Sequence, residues 1–303
     1  MEQERRIARY REAVSVLPVR LRKQALSLPE EQQERAEELH LRTGQPLTAL
    51  LPEGEQPLGI VVEAGDLEML CDLATEFSRY AAAETLRDGY LSVKGGFRIG
   101  LCGTAVIKDG VNTNLRQFSS ATVRIAREQI GVGDAVAEQL FRNGELCSTL
   151  ILSPPGAGKT TLLRDLVRRL SAGVSPYGPQ WVSLIDERGE VAMMYRGEPQ
   201  MDVGPYTDVL DACPKALGIP MVLRAMNPQI IAVDEITAYQ DIRAMSLAAG
   251  CGVRLLATIH AADVAELMEK PLYRSLLEEQ MFRLAVSISR TDKGRSYRVE
   301  DLP

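Results

Sequence analysis

The amino-acid sequence predicts an α/β protein: a smaller α+β domain, residues 1–130, followed by a domain with a parallel sheet covered by helices on both faces, residues 131–303. Two observations lead to this prediction. In the second part, short apolar runs of the length of buried strands alternate with helical segments. In the first part, helical spacing gives way to alternating segments cut by tight turns. A chain of 303 residues is long enough for two domains.

The first domain begins with a charge-rich segment in which apolar residues recur at helical spacing through about residue 40. Pro18 and Pro29 break this segment into two or three helices. The alternating stretch that follows is divided by glycine and proline turns into strands. Residues 65–82 form an amphipathic helix that we expect Asp66 to cap. Residues 90–111 predict two strands about a Gly-Gly turn and a third that runs to an Asp-Gly turn.

The second domain begins after a glycine-containing joint and a short entry helix at residues 130–140. Beyond the joint, apolar strands alternate with helices, which is the pattern of a parallel sheet with both faces buried. The strands are predicted at residues 148–153, 181–186, 229–234 and 253–259, and the helices at residues 158–170 and 238–249.

Composition and charge narrow the range of functions. The net charge of −6 argues against non-specific attraction to nucleic acid or to an anionic membrane surface. The five cysteines are scattered without a C-x-x-C pair, which indicates reduced thiols, and two histidines exclude a histidine-rich metal site. The first residues, MEQERRIARYREAV, have no apolar core behind their charges and are not expected to be a secretory signal. No apolar run reaches about 18 residues, so we expect a cytosolic protein unless a partner holds it at a membrane.

The stretch SPPGAGKTT, residues 153–161, predicts a phosphate-binding loop between a strand and a helix. Gly156 and Gly158 allow the backbone N–H groups to curl around phosphates, and Lys159 reaches the β- and γ-phosphates. The Thr160 hydroxyl is expected to ligate Mg²⁺. Ser153 stands where such loops usually have glycine, at a strand exit that a small residue can fill. The predicted nucleotide contacts are Ser153, Pro154, Pro155, Gly156, Ala157, Gly158, Lys159, Thr160 and Thr161.

An acidic pair ends the strand NPQIIAVDEI. We expect Asp234 to hold Mg²⁺, usually through water, and Glu235 to polarise the attacking water as general base. This glutamate indicates hydrolysis rather than phosphoryl transfer to a metabolite. The base-recognition motif N-K-x-D of GTPases is absent, which favours ATP.

Two further strand ends carry polar residues. Glu187 belongs to an acidic cluster after residues 181–186 and is expected near the γ-phosphate or behind the Mg²⁺ ligands; the alternative is a charged loop paired with Arg188. Thr258 and His260 lie on the same side of their strand. A polar side chain there can sense the γ-phosphate, although a lone histidine is more often a satisfied core residue.

The order of phosphate loop, acidic cluster, D-E strand and T-x-H-x-x-D resembles the RecA-like secretion ATPases of type II and type IV systems. Those families usually have G-E where this chain has Asp234-Glu235. A closer resemblance, to the stage III sporulation protein AA family, covers nearly the whole chain. It is carried by three segments: IDERGEV, residues 198–236 and ATIHAADVAEL. The loop of that family usually begins with glycine. Ser153 departs from this pattern, and we expect the departure to affect the affinity for the nucleotide and not the function.

This resemblance implies a mother-cell ATPase that powers a secretion-like channel between mother cell and forespore. It implies ATP and Mg²⁺ as ligands, a hexameric ring, membrane-protein partners from the same sporulation operon, and a cytoplasmic location peripheral to the membrane through those partners. In such motors a neighbouring subunit supplies an arginine; the candidates are Arg124 and Arg127, then Arg188 and Arg224.

Two other functions stay open at this point. The first is a RecA-like nucleic-acid motor, against which the net acidity and the single Trp181 argue. The second is a ring that binds ATP as a scaffold with little turnover.

Overall fold

The computed structural model describes residues 2–80, 82–291 and 294–302. The chain divides into two compact units. Unit 1 comprises residues 1–127 and 195–200, and unit 2 comprises residues 128–194 and 201–303. The predicted boundary after residue 130 stays a prediction, because a division of contacts does not show that either part folds by itself.

In its described residues, unit 1 combines helices with a six-stranded antiparallel sheet. Its elements are α1 (Glu2–Val14), α2 (Val19–Leu26), α3 (Glu30–Arg35), β1 (Glu38–Arg42), β2 (Pro46–Leu51), β3 (Gly54–Val61), α4 (Ala64–Ala74), α5 (Ala83–Arg87), β4 (Tyr90–Val93), β5 (Phe97–Lys108) and β6 (Val111–Arg124). The strand order is β3-β2-β1-β6-β5-β4. Alternate residues of β5 (Phe97, Ile99 and Leu101) are buried, which is the pattern of a sheet with one face on a core.

Two local predictions in unit 1 are corrected. Asp66 is not the residue before the helix: α4 begins at Ala64, and the Asp66 carboxylate accepts the backbone N–H of Glu63 at 2.7 Å from inside the first turn. The predicted second and third strands are one strand, β5. It continues through a bulge between Cys102 and Thr104, where the register with β6 shifts, instead of ending.

Unit 2 consists of helices around a mainly parallel sheet. From residue 128 to the C-terminus the elements are α6 (Asp134–Ala137), a 3-10 turn (Glu138–Leu140), β7 (Phe141–Arg142), β8 (Glu145–Leu146), β9 (Thr149–Ser153), α7 (Lys159–Ala172), β10 (Val182–Asp186), β11 (Met194–Tyr195), β12 (Glu198–Pro199), β13 (Thr207–Asp211), α8 (Lys215–Ala225), β14 (Ile230–Val233), α9 (Tyr239–Gly250), β15 (Arg254–His260), α10 (Val264–Glu269), α11 (Pro271–Glu278), β16 (Leu284–Thr291) and β17 (Gly294–Asp301). Strands β11 and β12 form a hairpin, and its residues 195–200 belong to unit 1 while the other elements belong to unit 2.

The seven-stranded sheet of unit 2 has the order β13-β10-β14-β15-β9-β16-β17, parallel except for β17. Strand β9 lies near its centre and is buried on both faces. Ile151 packs into one apolar core, whereas Leu150 and Leu152 pack into the other. This burial explains why the strand is a continuous apolar run. The predicted fold class, an α/β domain with a doubly covered parallel sheet after a smaller α+β domain, is confirmed.

Residues 195–200 contact the rest of unit 1 through three interactions that involve side chains. The Tyr195 hydroxyl donates to the Glu76 carboxylate, and the Arg196 guanidinium lies 2.5 Å from the same group. The Gly95 backbone N–H donates to Gln200 Oε1 at 2.7 Å. The chain therefore leaves unit 2 after Met194 and returns to it at Met201.

Candidate functional site

The parallel strands of unit 2 bring their carboxyl ends to one edge of the sheet. His260 at the end of β15 is in register with Ser153 at the end of β9, and β10 ends at Asp186. Asp234 follows directly after β14. Ligands of open α/β sheets bind at this edge, so the sequence-predicted site residues of four strands share one neighbourhood.

The predicted phosphate loop connects β9 to α7 and has left-handed backbone at two glycines. Gly156 has φ +73° and Gly158 has φ +106°, conformations that residues with a Cβ seldom adopt. A Cβ at Gly156 would have no atom within 4 Å, so the space beside the loop is open there. Ser153 is fully buried, and its hydroxyl donates to the Pro154 carbonyl at 2.9 Å.

Lys159 is the first residue of α7, and its side chain is buried against the neighbouring strand end. Its ammonium lies 2.8 Å from His260 Nδ1 and 3.3 Å from the Ser153 carbonyl. Burial lowers the pKa of Lys159, and the nearby Asp234 and Glu235 carboxylates oppose that shift. Because an ammonium only donates, His260 Nδ1 is the acceptor in this contact.

A short chain of hydrogen bonds joins the loop to the acidic pair. The Thr160 hydroxyl donates to Asp234 Oδ2 at 2.7 Å, and the Thr258 hydroxyl donates to Asp234 Oδ1 at 2.5 Å. Thr258 in turn accepts the backbone N–H of Glu235 at 2.7 Å. The fully buried Thr258 therefore fixes both members of the acidic pair.

Glu235 has an unusual backbone for a residue with a side chain, since its φ is +51°. Its carboxylate contacts His260 Nε2 at 3.1 Å and the Arg188 guanidinium at 3.1 Å. With Nδ1 accepting from Lys159, the ring hydrogen lies on Nε2 and is donated to Glu235. The loop lysine, the histidine and the acidic residue are thus linked side chain to side chain.

The loop after β10 is organised by Asp186. Its buried carboxylate accepts the backbone N–H groups of Glu190, Val191 and Ala192 at 2.8–3.0 Å. Burial raises the pKa of Asp186 to about 6, although these three donors lower it. The buried Arg164 of α7 donates to the Val191 carbonyl and so ties this loop to the helix after the phosphate loop.

Glu187 is placed differently from the residues around Lys159. Its carboxylate forms a close ion pair with Lys215, which is buried at the start of α8. Glu187 is therefore paired with Lys215 and not with the neighbouring Arg188, because the Arg188 guanidinium contacts Glu235. Glu187 remains at the same sheet edge, one residue beyond β10.

The four candidate arginines have different surroundings. Arg124 of β6 is 64% exposed and is paired with Glu38 at 3.3 Å. Arg127 donates to the Gln33 and Ala36 carbonyls within unit 1, and burial lowers its pKa. Arg224 donates to the Pro220 carbonyl of its own helix. Arg124 and Arg188 are equally exposed, at 64%, and each is paired with a carboxylate, Glu38 for Arg124 and Glu235 for Arg188.

Sequence reasoning missed two residues of this neighbourhood, Arg295 and Lys215, and one contact, that of Arg188 with Glu235. The contact of Arg188 with Glu235 requires two loops to meet, and the sequence offers no signal for it. Arg295 of β17 lies against Gly158, so that a Cβ on Gly158 would stand 2.7 Å from the guanidinium carbon. Lys215 belongs to no sequence motif that would indicate a functional role.

Across residues 2–80, 82–291 and 294–302, no group of three or more His, Cys, Asp or Glu side chains could hold a metal ion. No helix in these same ranges is long and apolar enough to span a membrane.

The sequence profile of a family described as "Sporulation stage III, protein AA" matches residues 7–299. The chain is 36% identical to stage III sporulation protein AA of Bacillus subtilis (strain 168) over 279 residues, which are 92% of this chain and 91% of that protein. Its structure is similar to the Legionella pneumophila ATPase DotB (TM-score 0.57, 19% identity, 88% of this chain and 76% of that one). It is also similar to the pilus retraction motor PilT with bound ADP (TM-score 0.57, 17% identity, 90% and 81%). At these identities the structural similarity shows a shared fold, which is that of P-loop ATPases.

Proposed function

Because the chain belongs to the sporulation stage III protein AA family, we propose that it is an ATP hydrolase. Its turnover drives the assembly of, or transport through, a channel complex between mother cell and forespore. The observation that carries this proposal is the continuous set of contacts from Lys159 through His260 to Glu235, beside a glycine loop at the carboxyl edge of a parallel sheet. This arrangement supplies a phosphate-binding group and a general base within one neighbourhood.

The nucleotide phosphates occupy the loop of residues 153–161. The open space beside Gly156 and the left-handed backbone of both glycines fit a chain that wraps around an anion. The N-terminus of α7, a helix of 14 residues, adds its partial positive charge. The structure of PilT with bound ADP shows that this fold can hold a nucleotide in another protein.

Mg²⁺ fits the oxygen donors that the chain presents next to Lys159. The Thr160 hydroxyl and Asp234 Oδ2 lie 2.7 Å apart, and hard oxygen donors of this kind are what Mg²⁺ prefers. When bound, the ion neutralises the charge of the phosphates. Thr258 holds Asp234 in place for this role.

Glu235 acts as the general base and is oriented by two donors. Arg188 and His260 Nε2 hold its carboxylate from two sides, and Thr258 holds its backbone N–H. Lys159 donates to His260 in the structure, and the same ammonium is needed at the phosphates. Phosphate binding therefore frees His260 Nδ1, so the group that orients the base senses whether the loop is filled. Glu187, through Lys215, steadies the loop that carries Arg188.

The active form is a hexameric ring in the cytoplasm of the mother cell, attached to the membrane through membrane proteins of the same operon. Arg124 is the residue that a neighbouring subunit supplies to the transition state. Two of the candidate arginines lie in unit 1, and Arg124 is the exposed one. Arg127 donates hydrogen bonds to the Gln33 and Ala36 carbonyls.

ATP turnover measured against protein concentration, with and without single-stranded DNA, tests this proposal. Lys159→Ala is the blank, and Glu235→Gln is expected to bind ATP without turning it over. We expect the rate of ATP turnover per protein molecule to rise steeply with protein concentration and to be unchanged by single-stranded DNA. No turnover above the blank would contradict ATP hydrolysis, and turnover only with DNA would favour a nucleic-acid motor.

A further inference from the structure

The C-terminal hairpin of unit 2 extends beyond the carboxyl edge of the sheet. Strand β16 is paired with β9 only from Leu284 to Ser287, where its partner is Leu152. It continues to Thr291, four residues farther, and β17 returns antiparallel beside it. At a rise of about 3.3 Å per residue, the end of β16 and the start of β17 therefore lie beyond the end of β9.

Arg295, the second residue of β17, uses this reach to place its guanidinium against the phosphate loop. It is paired with Arg290, three positions beyond Ser287. A Cβ built on Gly158 would stand 2.7 Å from Arg295 Cζ and 2.9 Å from its Nε. The guanidinium therefore occupies the space that the missing side chain of Gly158 leaves open.

The charge of Arg295 has no carboxylate partner in the part of the chain that the structure describes. Its Nη1 donates to the neutral Gln129 side chain at 2.7 Å, which positions the group without neutralising it. By contrast, Arg298 on the same strand pairs with Glu300 at 3.0 Å. A positioned cation beside the N-terminus of α7 raises the local positive potential, and a guanidinium suits phosphate oxygens because its N–H donors form a planar fork.

We propose that Arg295 is a phosphate-binding residue that contacts the diphosphate group common to ATP and ADP. This inference rests on the proposed nucleotide site. The guanidinium lies at the backbone of the loop, at Gly158, and the backbone of such loops holds the α- and β-phosphates. Lys159 points to the other side, toward His260 and the Ser153 carbonyl. Arg295 and Lys159 thus hold the phosphates from opposite sides of the loop.

Calorimetric titration with Mg–ADP and with a non-hydrolysable Mg–ATP analogue tests this assignment. We expect Arg295→Gln to weaken both ligands by roughly tenfold or more, since hydrogen bonds to charged groups are stronger than neutral ones. Arg295→Lys should retain part of the affinity because it keeps the charge. Arg298→Gln removes the same charge from the same strand away from the loop and should bind as the wild type does. In turnover, the KM for ATP should rise in Arg295→Gln while kcat changes less.

Each other outcome is decisive. Equal affinities in Arg295→Gln and the wild type would overturn the role of Arg295 and leave the proposed ATP site intact. A loss confined to the ATP analogue would overturn the assignment to the shared diphosphate. A similar loss in Arg298→Gln would show an effect of the hairpin as a whole and overturn a direct contact. A wild-type chain that binds neither nucleotide would overturn the proposed function as well.

Discussion

Thr258 is the buried hydroxyl through which the structure positions both acidic residues, and replacing it with valine removes that hydroxyl while keeping the branched shape. The Thr258 side chain donates to Asp234 at 2.5 Å and accepts the Glu235 N–H at 2.7 Å. Valine can make neither bond. Glu235 then keeps a left-handed backbone, φ +51°, with its N–H no longer held.

The cost of this change follows from the two lost bonds. A hydrogen bond to a charged carboxylate contributes about 1.5–3 kcal/mol, and a neutral one contributes about 1 kcal/mol. We therefore expect Thr258→Val to lower the free energy of unfolding of the protein by about 3 kcal/mol. Because a shift of about 1 Å in a catalytic group can reduce the rate roughly a hundredfold, we expect ATP turnover to fall by that order.

Thr258→Ser is the matched control, since it keeps the hydroxyl and removes one methyl group, a loss of about 1 kcal/mol. Urea unfolding can be followed by the fluorescence of Trp181, the single tryptophan of the chain, which lies in unit 2 directly before β10. Turnover is measured in parallel. If the serine and valine variants have the same stability and the same turnover, the hydroxyl does not position the acidic pair and the reasoning is wrong.

Two further predictions concern the loops on either side of this pair. Burial raises the pKa of Asp186 to about 6, whereas an aspartate of the unfolded chain has a pKa near 4. The folded chain therefore binds the Asp186 proton more tightly than the unfolded chain does. The stability that this proton contributes is lost as the pH rises through 6. Measured by urea unfolding, the stability of the wild type relative to Asp186→Asn should fall by on the order of 1 kcal/mol from about pH 5 to about pH 7.5; a difference that is constant with pH would contradict the raised pKa. Ser153 has no positive φ and its hydroxyl bonds only within the loop, so Ser153→Gly should change the Kd for Mg–ADP by less than about threefold. A tenfold tighter Kd would show that the serine strains the loop.

In unit 2, the strands β9, β10, β14 and β15 and the helices α7 and α9 could be predicted because burial leaves a direct mark on the sequence. Strand β9 was expected at residues 148–153 and lies at Thr149–Ser153, and the helix expected at residues 238–249 lies at Tyr239–Gly250. An apolar run bounded by turn residues has few other ways to bury itself. The partly exposed β13 and the edge strand β17 lack that mark and were not predicted. Strand β16 was not predicted either, although Leu284, Ala285 and Val286 are fully buried.

In unit 1, glycine was the misleading signal. Residues 90–111 were divided at their glycines, whereas Gly103 lies within β5 at a bulge. A Cβ there would approach the Arg116 carbonyl to 2.6 Å, so this glycine is present for close backbone contact and not to end the strand. The hairpin of residues 195–200 left no sequence mark at all, because its place in unit 1 depends on contacts with Glu76 and Gly95, more than a hundred residues earlier.

By itself, the sequence determined the family, the fold class and the identity of the loop and acidic residues, since these depend on local pattern and spacing. Only the tertiary structure decided which partners those residues have. In the folded chain, Lys159 donates a hydrogen bond to His260, and Arg188 forms an ion pair with Glu235. Glu187 forms an ion pair with Lys215, and the Arg295 guanidinium lies against Gly158. Parallel strand order and hairpin length join residues far apart along the chain, and no local propensity encodes the meeting of two loops.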